Sequence, residues 1–263
     1  MSKLYIIGTG LAPDLITLRA IEALKSVKSV FIEQYTGLLM LNENIKEILK
    51  DKEVRRLSRR DLEDLGGKEI FDSLKDGDVA ILVPGDPLVA TTHTSIIVEA
   101  YKRGYKVEVV PGISIIPNAL TMAGLMIYKM GKPVTLVYPK EGIIYDYPYD
   151  VIKDNDSRNL HTVLLLELDM ERNVIMKVNE AVNILFMMED IRKEGVVKPT
   201  RKGVAVAALG SKNQIICFNT LENLKKLPIN EIPQTLIITS PKLHFMEEEM
   251  LKVMNNEYCK PLK

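Results

Sequence analysis

The stretch that decides the fold is Val79 to Ser95, VAILVPGDPLVATTHTS. Five apolar residues run without a break and stop at Pro84-Gly85. An acid, Asp86, follows, then a second proline and a run of hydroxyls around His93. A short continuous apolar run bounded by a turn signal reads as a strand buried on both faces. Pro-Gly ends it. The next segment, TSIIVEAYKRG, reads as a helix closed by Gly104, a good residue just past a helix end. Strand, turn and helix make one unit of a parallel α/β sheet. The turn then lies beyond the carboxyl end of the strand, where open α/β sheets bind their ligands.

The same alternation extends outward through the first half. KLYIIG (3–8), SVFIE (29–33) and KVEVV (106–110) read as strands. ITLRAIEALKSV (16–27) carries apolar residues at Ile16, Leu18, Ile21 and Leu24 and reads as a helix, as do NENIKEILK (42–50) and SIIPNALTMAGL (114–125). Short strands alternating with helices predict a mostly parallel sheet covered on both faces. The second half changes style. PVTLVYP, HTVLLLEL, GVAVAAL, QIICFN and QTLIIT read as strands, and NEAVNILFMMEDIRKEG as a helix. Only GSKN separates GVAVAAL from QIICFN, which favours a hairpin and a mixed sheet. The chain is therefore expected to be α/β with two domains, 1–131 and 132–263, meeting near Lys129–Pro133. The methionines of FMMED are expected in the core. The tyrosine-rich YDYPYD (145–150) is expected as a loop.

Composition narrows the class. Hydrophobic residues make up 46% of 263 and charged residues 27%, ordinary values for a globular chain. Lys+Arg and Asp+Glu both number 35, so the overall basic excess of a dedicated nucleic-acid binder is missing. The cluster Arg55, Arg56, Arg59 and Arg60 sits among Glu53, Asp61, Glu63 and Asp64 and reads as a solvated face. Two cysteines, Cys217 and Cys259, without CxxC spacing do not make a disulfide scaffold, and a reducing cytoplasm is the expected setting. No apolar run reaches the roughly 20 residues of a membrane span.

The glycine motif IIGTGLAPD invites a dinucleotide reading, with Glu33 as the ribose acid. The position of the third glycine holds Pro13, which breaks the fingerprint. LGGKEI lacks the hydroxyl of a phosphate-binding GK[ST] loop. The three histidines, His93, His161 and His244, have no partner at metal-ligand spacing and read as polar structural residues. No GxSxG elbow is present. What remains are glycine-containing turns after three strands: GTGL, VPGDPLVATTH and VVPGISIIPNA. Together they favour a pocket, with Ser114 as a candidate helix N-cap.

YIIGTGLAPDLITLRAIEAL, VPGDPLVATTHTS and VEVVPGISIIPNAL together resemble the tetrapyrrole methylase superfamily. The longer GDPLVATTH, with GLMIYKMGK and LHTVLLLELD, is similar to its diphthine synthase family, and the resemblance covers nearly the whole chain. It implies two α/β domains, S-adenosyl-L-methionine as cofactor and a homodimer. It also implies a substrate, translation elongation factor 2, methylated on the amino group of a 3-amino-3-carboxypropyl-histidine. The implied cofactor contacts are Leu11, Asp86, Val89, Ser114, Ile115, Leu166, Leu209 and Gln234. Gln234 stands where members of the family tend to have histidine. The resemblance assigns no catalytic residue here, and Asp86 is the candidate for an electrostatic role toward the cofactor. A corrin or porphyrin-precursor methylase and an NAD(P)-binding oxidoreductase are the competing readings.

Overall fold

The computed structural model describes residues 2–33, 35, 37–39 and 41–259. The chain divides into two compact units. The first is residues 1–114 with 169–173, and the second is residues 115–168 with 174–263. The division thus falls between Ser114 and Ile115, ahead of the Lys129–Pro133 boundary suggested by the change in sequence style.

The first unit is built on five parallel strands. These are β1 (Lys3–Gly8), β2 (Ser29–Glu33), β3 (Glu53–Leu57), β4 (Val79–Val83) and β5 (Lys106–Val110), in the order β3-β2-β4-β1-β5. Every residue of β4 is fully buried, as the unbroken VAILV run requires of a central parallel strand. Alternate side chains go to opposite faces. Leu4, Ile6, Phe31, Val79, Ile81 and Val83 join one core. Tyr5, Ile7, Val30, Ile32, Ala80 and Leu82 join the other.

The covering helices are α1 (Leu18–Ser26), α2 (Glu43–Leu49), α3 (Arg59–Glu63), α4 (Lys68–Ser73) and α5 (Thr94–Lys102). Thr17 caps α1 by accepting from the Ala20 N–H, and Ala20, Ala23 and Leu24 form its buried stripe. Gly104 follows α5 in the left-handed conformation, φ 81°, as its sequence position predicts. The arginine cluster lies on edge strand β3 and on α3. Arg55 pairs with Glu69 and Arg59 with Glu63, all well exposed. β3 itself is invisible to periodicity because four of its five residues face solvent.

The second unit begins with α6 (Ile115–Met122), which packs on strands β7 (Thr162–Leu166) and β12 (Gln234–Ile238) of this unit. Its sheet is mixed. β6 (Val134–Leu136), β7, β10 (Lys202–Ala207), β11 (Ile215–Thr220) and β12 lie in the order β11-β10-β12-β7-β6, and only β6 and β7 are parallel. β10 and β11 form the expected antiparallel hairpin. Two short strands, β8 (Leu168–Asp169) and β9 (Val174–Ile175), pair separately.

The helices of this unit are α7 (Tyr147–Ser157), α8 (Val178–Arg192), α9 (Leu221–Lys226) and α10 (Phe245–Tyr258). The tyrosine-rich segment is a loop only at Tyr145 and Asp146, and the rest is helical. Pro148 opens α7, and Tyr149 is buried with its hydroxyl donating to Glu189 at 2.9 Å. Of the two methionines in FMMED, Met188 is in the core and Met187 is 45% exposed. The cysteines are not independent either. α10 packs on β11 and brings Cys259 to Cys217, and the two form a disulfide across 42 residues, with their Cα atoms 4.7 Å apart. Sequence spacing alone does not reveal a pairing made by a helix returning onto an edge strand. No helix among the described residues is long and apolar enough to cross a membrane.

Candidate cofactor site

At the carboxyl edge of the first sheet, neighbouring strands β4, β1 and β5 run into the three glycine turns. Their backbones are packed against one another. A Cβ on Gly8 would stand 2.5 Å from the Gly85 carbonyl oxygen and 2.6 Å from the Gly112 nitrogen, and one on Gly112 would collide with the same carbonyl. Gly10 and Gly85 exchange two backbone hydrogen bonds, at 3.1 and 3.0 Å. Gly8 and Gly112 are therefore required for turn-to-turn packing. Gly85 differs. It holds φ 68°, and the nearest atom to an added Cβ is the Ile113 carbonyl oxygen at 3.8 Å. That leaves an open side where a ligand can approach the backbone.

Asp86 ties two of these turns together. One carboxylate oxygen accepts from the Leu88 N–H at 3.0 Å, and the other accepts from the Gly112 N–H at 3.2 Å. Its side chain is fixed in place before any ligand arrives. The same turn leaves Leu88 and Val89 exposed while Pro87 is buried. Of the residues expected to touch the cofactor, Leu11, Asp86, Val89 and Ser114 all lie on turns beyond this one edge. Ser114 is buried and sits directly before α6, where an N-cap belongs.

Glu33 does not serve the glycine turn after β1. It ends β2, which pairs with β4 and not with β1. A dinucleotide-binding sheet needs those two strands side by side. Glu33 is fully buried and accepts from the Tyr35 N–H at 2.6 Å. Burial, and then the Glu33 charge, push the Tyr35 hydroxyl up to about 12. Two buried side-chain polar atoms among the described residues have no hydrogen-bond partner, and both are near here: the Tyr35 hydroxyl and His93 Nε2. Sequence reading did not single out Tyr35, since nothing in its type or spacing marks it.

In the second unit the remaining expected contacts also converge. β12 runs antiparallel to β7, with Thr235 opposite Leu165, and to β10, with Gln234 opposite Ala207. Leu166, Leu209 and Gln234 therefore share one end of that sheet, and all three are buried. The Gln234 amide is committed to the backbone. Its oxygen accepts from the Val178 N–H at 2.7 Å, and its nitrogen donates to the carbonyls of Ile229 at 3.1 Å and Glu231 at 2.9 Å. It fastens the start of α8 to the approach to β12. Ile115 opens α6 and belongs to this unit by its packing.

Residues 3–225 match the family described as Tetrapyrrole (Corrin/Porphyrin) Methylases. The diphthine synthase of Methanocaldococcus jannaschii is 36% identical over 256 residues, covering 95% of this chain and 98% of that protein. That of Staphylothermus marinus is 40% identical over 254 residues, covering 94% and 92%. A crystal structure of diphthine synthase superposes with a TM-score of 0.85 at 31% identity, covering 99% of this chain and all of that one. The chain belongs to the diphthine synthase family of tetrapyrrole methylases. It is an S-adenosyl-L-methionine-dependent methyltransferase acting in diphthamide biosynthesis. The strand order that separates Glu33 from the first turn and the family assignment together remove the oxidoreductase reading.

Proposed function

We propose that this methyltransferase acts on the amino group of a 3-amino-3-carboxypropyl-histidine of translation elongation factor 2, as a cytoplasmic homodimer. The supporting observation is the near full-length match to diphthine synthases, at 36% and 40% identity. We further assign the cofactor to the expected residues Leu11, Asp86, Val89, Ser114, Ile115, Leu166, Leu209 and Gln234. The open side of Gly85, the anchored Asp86 and the exposed Val89 fit an approaching ligand. Gln234 contributes through backbone and shape, because its side chain is already paired.

S-adenosyl-L-methionine supplies an electrophilic methyl group when bound, so the chain needs no nucleophile of its own. Its residues orient the reactants and exclude water. The attacking amine must be neutral, and no side chain is assigned as its base. Calorimetry with S-adenosylhomocysteine tests the cofactor assignment, and Asp86→Ala is expected to weaken binding. Incubation with elongation factor 2 bearing the precursor, followed by intact mass, tests the substrate. Added multiples of one methyl mass are expected, and their absence overturns the substrate reading. Sedimentation equilibrium checks the dimer.

A further inference from the structure

The turn from Gly85 to His93 contains two residues in the left-handed region, Gly85 at φ 68° and Ala90 at φ 57°. Glycine adopts that conformation freely, whereas alanine does so at a cost. The turn must therefore be held from elsewhere. Two side chains reach back over Ala90 to one atom. The Pro87 carbonyl accepts from Thr91 Oγ1 at 2.7 Å and from His93 Nδ1 at 2.9 Å.

A carbonyl oxygen can only accept, so the ring proton must be on Nδ1. In the neutral ring Nε2 then carries a lone pair, and that atom is buried with no donor to meet it. An unmet buried polar atom is unfavourable. An apolar side chain of similar size would fill the space without it. What an apolar residue lacks is the Nδ1–H. The Pro87 carbonyl lies between Asp86, which fixes this turn to Gly112, and Val89, which the turn leaves exposed.

We propose that His93 is the positioning residue of this turn: its Nδ1–H, by holding the Pro87 carbonyl, sets the backbone that meets the cofactor. The proposal rests on the cofactor assignment above. It assigns His93 no contact with substrate or cofactor.

The test compares three variants by S-adenosylhomocysteine calorimetry, with thermal melts as a folding check. His93→Asn keeps a donor near the Nδ1 position. His93→Gln places its donor near Nε2 instead, and His93→Leu has none. Asn is expected to bind within about twofold of wild type. Gln and Leu are expected to bind about three- to tenfold more weakly, the range for one hydrogen bond whose acceptor keeps a second partner. The loss should fall on the cofactor KM more than on kcat.

Wild-type affinity in the Leu variant, or an Asn variant as weak as Leu, overturns the proposal. Failure of wild type to bind would instead overturn the cofactor assignment. If the variants do not fold, ¹⁵N spectra of the wild-type imidazoles decide. His93 is expected as the Nδ1–H tautomer, and an Nε2–H tautomer overturns the proposal.

Discussion

His93 and His161 are both buried, and their surroundings are opposite. His93 has one partner and a bare Nε2. His161 has both nitrogens engaged. Its Nδ1 accepts from the Ser240 N–H at 2.8 Å, so its proton is on Nε2 and donates to Glu247 at 2.8 Å. Glu247, itself fully buried, also accepts from Lys129 Nζ at 2.8 Å and from the Met126 and His244 N–H groups, both at 2.9 Å. This network joins α10 to the segment after α6 and to the start of β7. The second unit thus closes its buried polar groups on one another. The turn edge of the first unit leaves two open, the Tyr35 hydroxyl and His93 Nε2. A fully satisfied network specifies structure, whereas an incomplete one at a strand-end turn marks a place where something else was selected.

The largest effect should come from breaking the satisfied network. Glu247→Ala strands a buried imidazole N–H, an ammonium and two backbone donors at once. A loss of about 3–5 kcal/mol is expected, as for removal of one partner from a buried ion pair. Chemical denaturation measures it. A loss below about 1 kcal/mol would mean that water reaches the site and the contrast with His93 is false.

Next comes the disulfide, which fastens the other end of α10 to β11. Closing a loop across 42 residues is worth up to about 4 kcal/mol in the chain-entropy picture. Cys217→Ser with Cys259→Ser should lower the melting temperature, and reductant should lower that of the wild type alone. If reductant has no effect, the thiols are free in solution, as a reducing cytoplasm would have them.

In the first unit, Gly8→Ala should cost about 1–3 kcal/mol, the usual range for overpacking, because its Cβ meets backbone that cannot yield. Cofactor affinity should fall with it. Gly85→Ala has room but must hold a positive φ. It should cost less stability and still weaken binding if the open side of Gly85 faces the ligand. Equal stability losses in the two variants would remove the distinction between packing glycine and approach glycine.

These contrasts explain what the sequence could disclose. VAILV, KLYIIG and the turns after them are legible because a central parallel strand is apolar at every position and its turns need Gly and Pro. The convergence of GTGL, GDPL and PGIS on one edge follows from the parallel order. β3 is hidden because an exposed edge strand carries arginines and glutamates. The His161–Glu247 pair and the Cys217–Cys259 bond are hidden for a shared reason. Each joins α10 to strands far away in sequence, and no local pattern encodes the docking of a C-terminal helix. Tyr35 and the occupied amide of Gln234 belong to the same class, in which type and spacing are silent and only burial and partners speak.

The smallest effect is the pH dependence of the network around His161 and Glu247. Burial is the largest influence on His161. It lowers the imidazole below its ordinary 6.5, against the pull of Glu247. Burial pushes Glu247 up, but Lys129, the His244 and Met126 N–H groups and His161 outweigh it and bring the carboxyl down to about 2 from 4.5. Both folded-state values are depressed. The unfolded chain therefore takes up protons first, and the folded state loses stability as pH falls. The His161 contribution is complete above 6.5 and declines below it. The Glu247 contribution is complete above 4.5 and declines toward 2. Stability referred to a Glu247→Gln variant should thus fall from pH 5 to pH 3. A difference between wild type and Glu247→Gln that stays flat over that interval would show that Glu247 titrates normally and that its four donors do not hold it ionised.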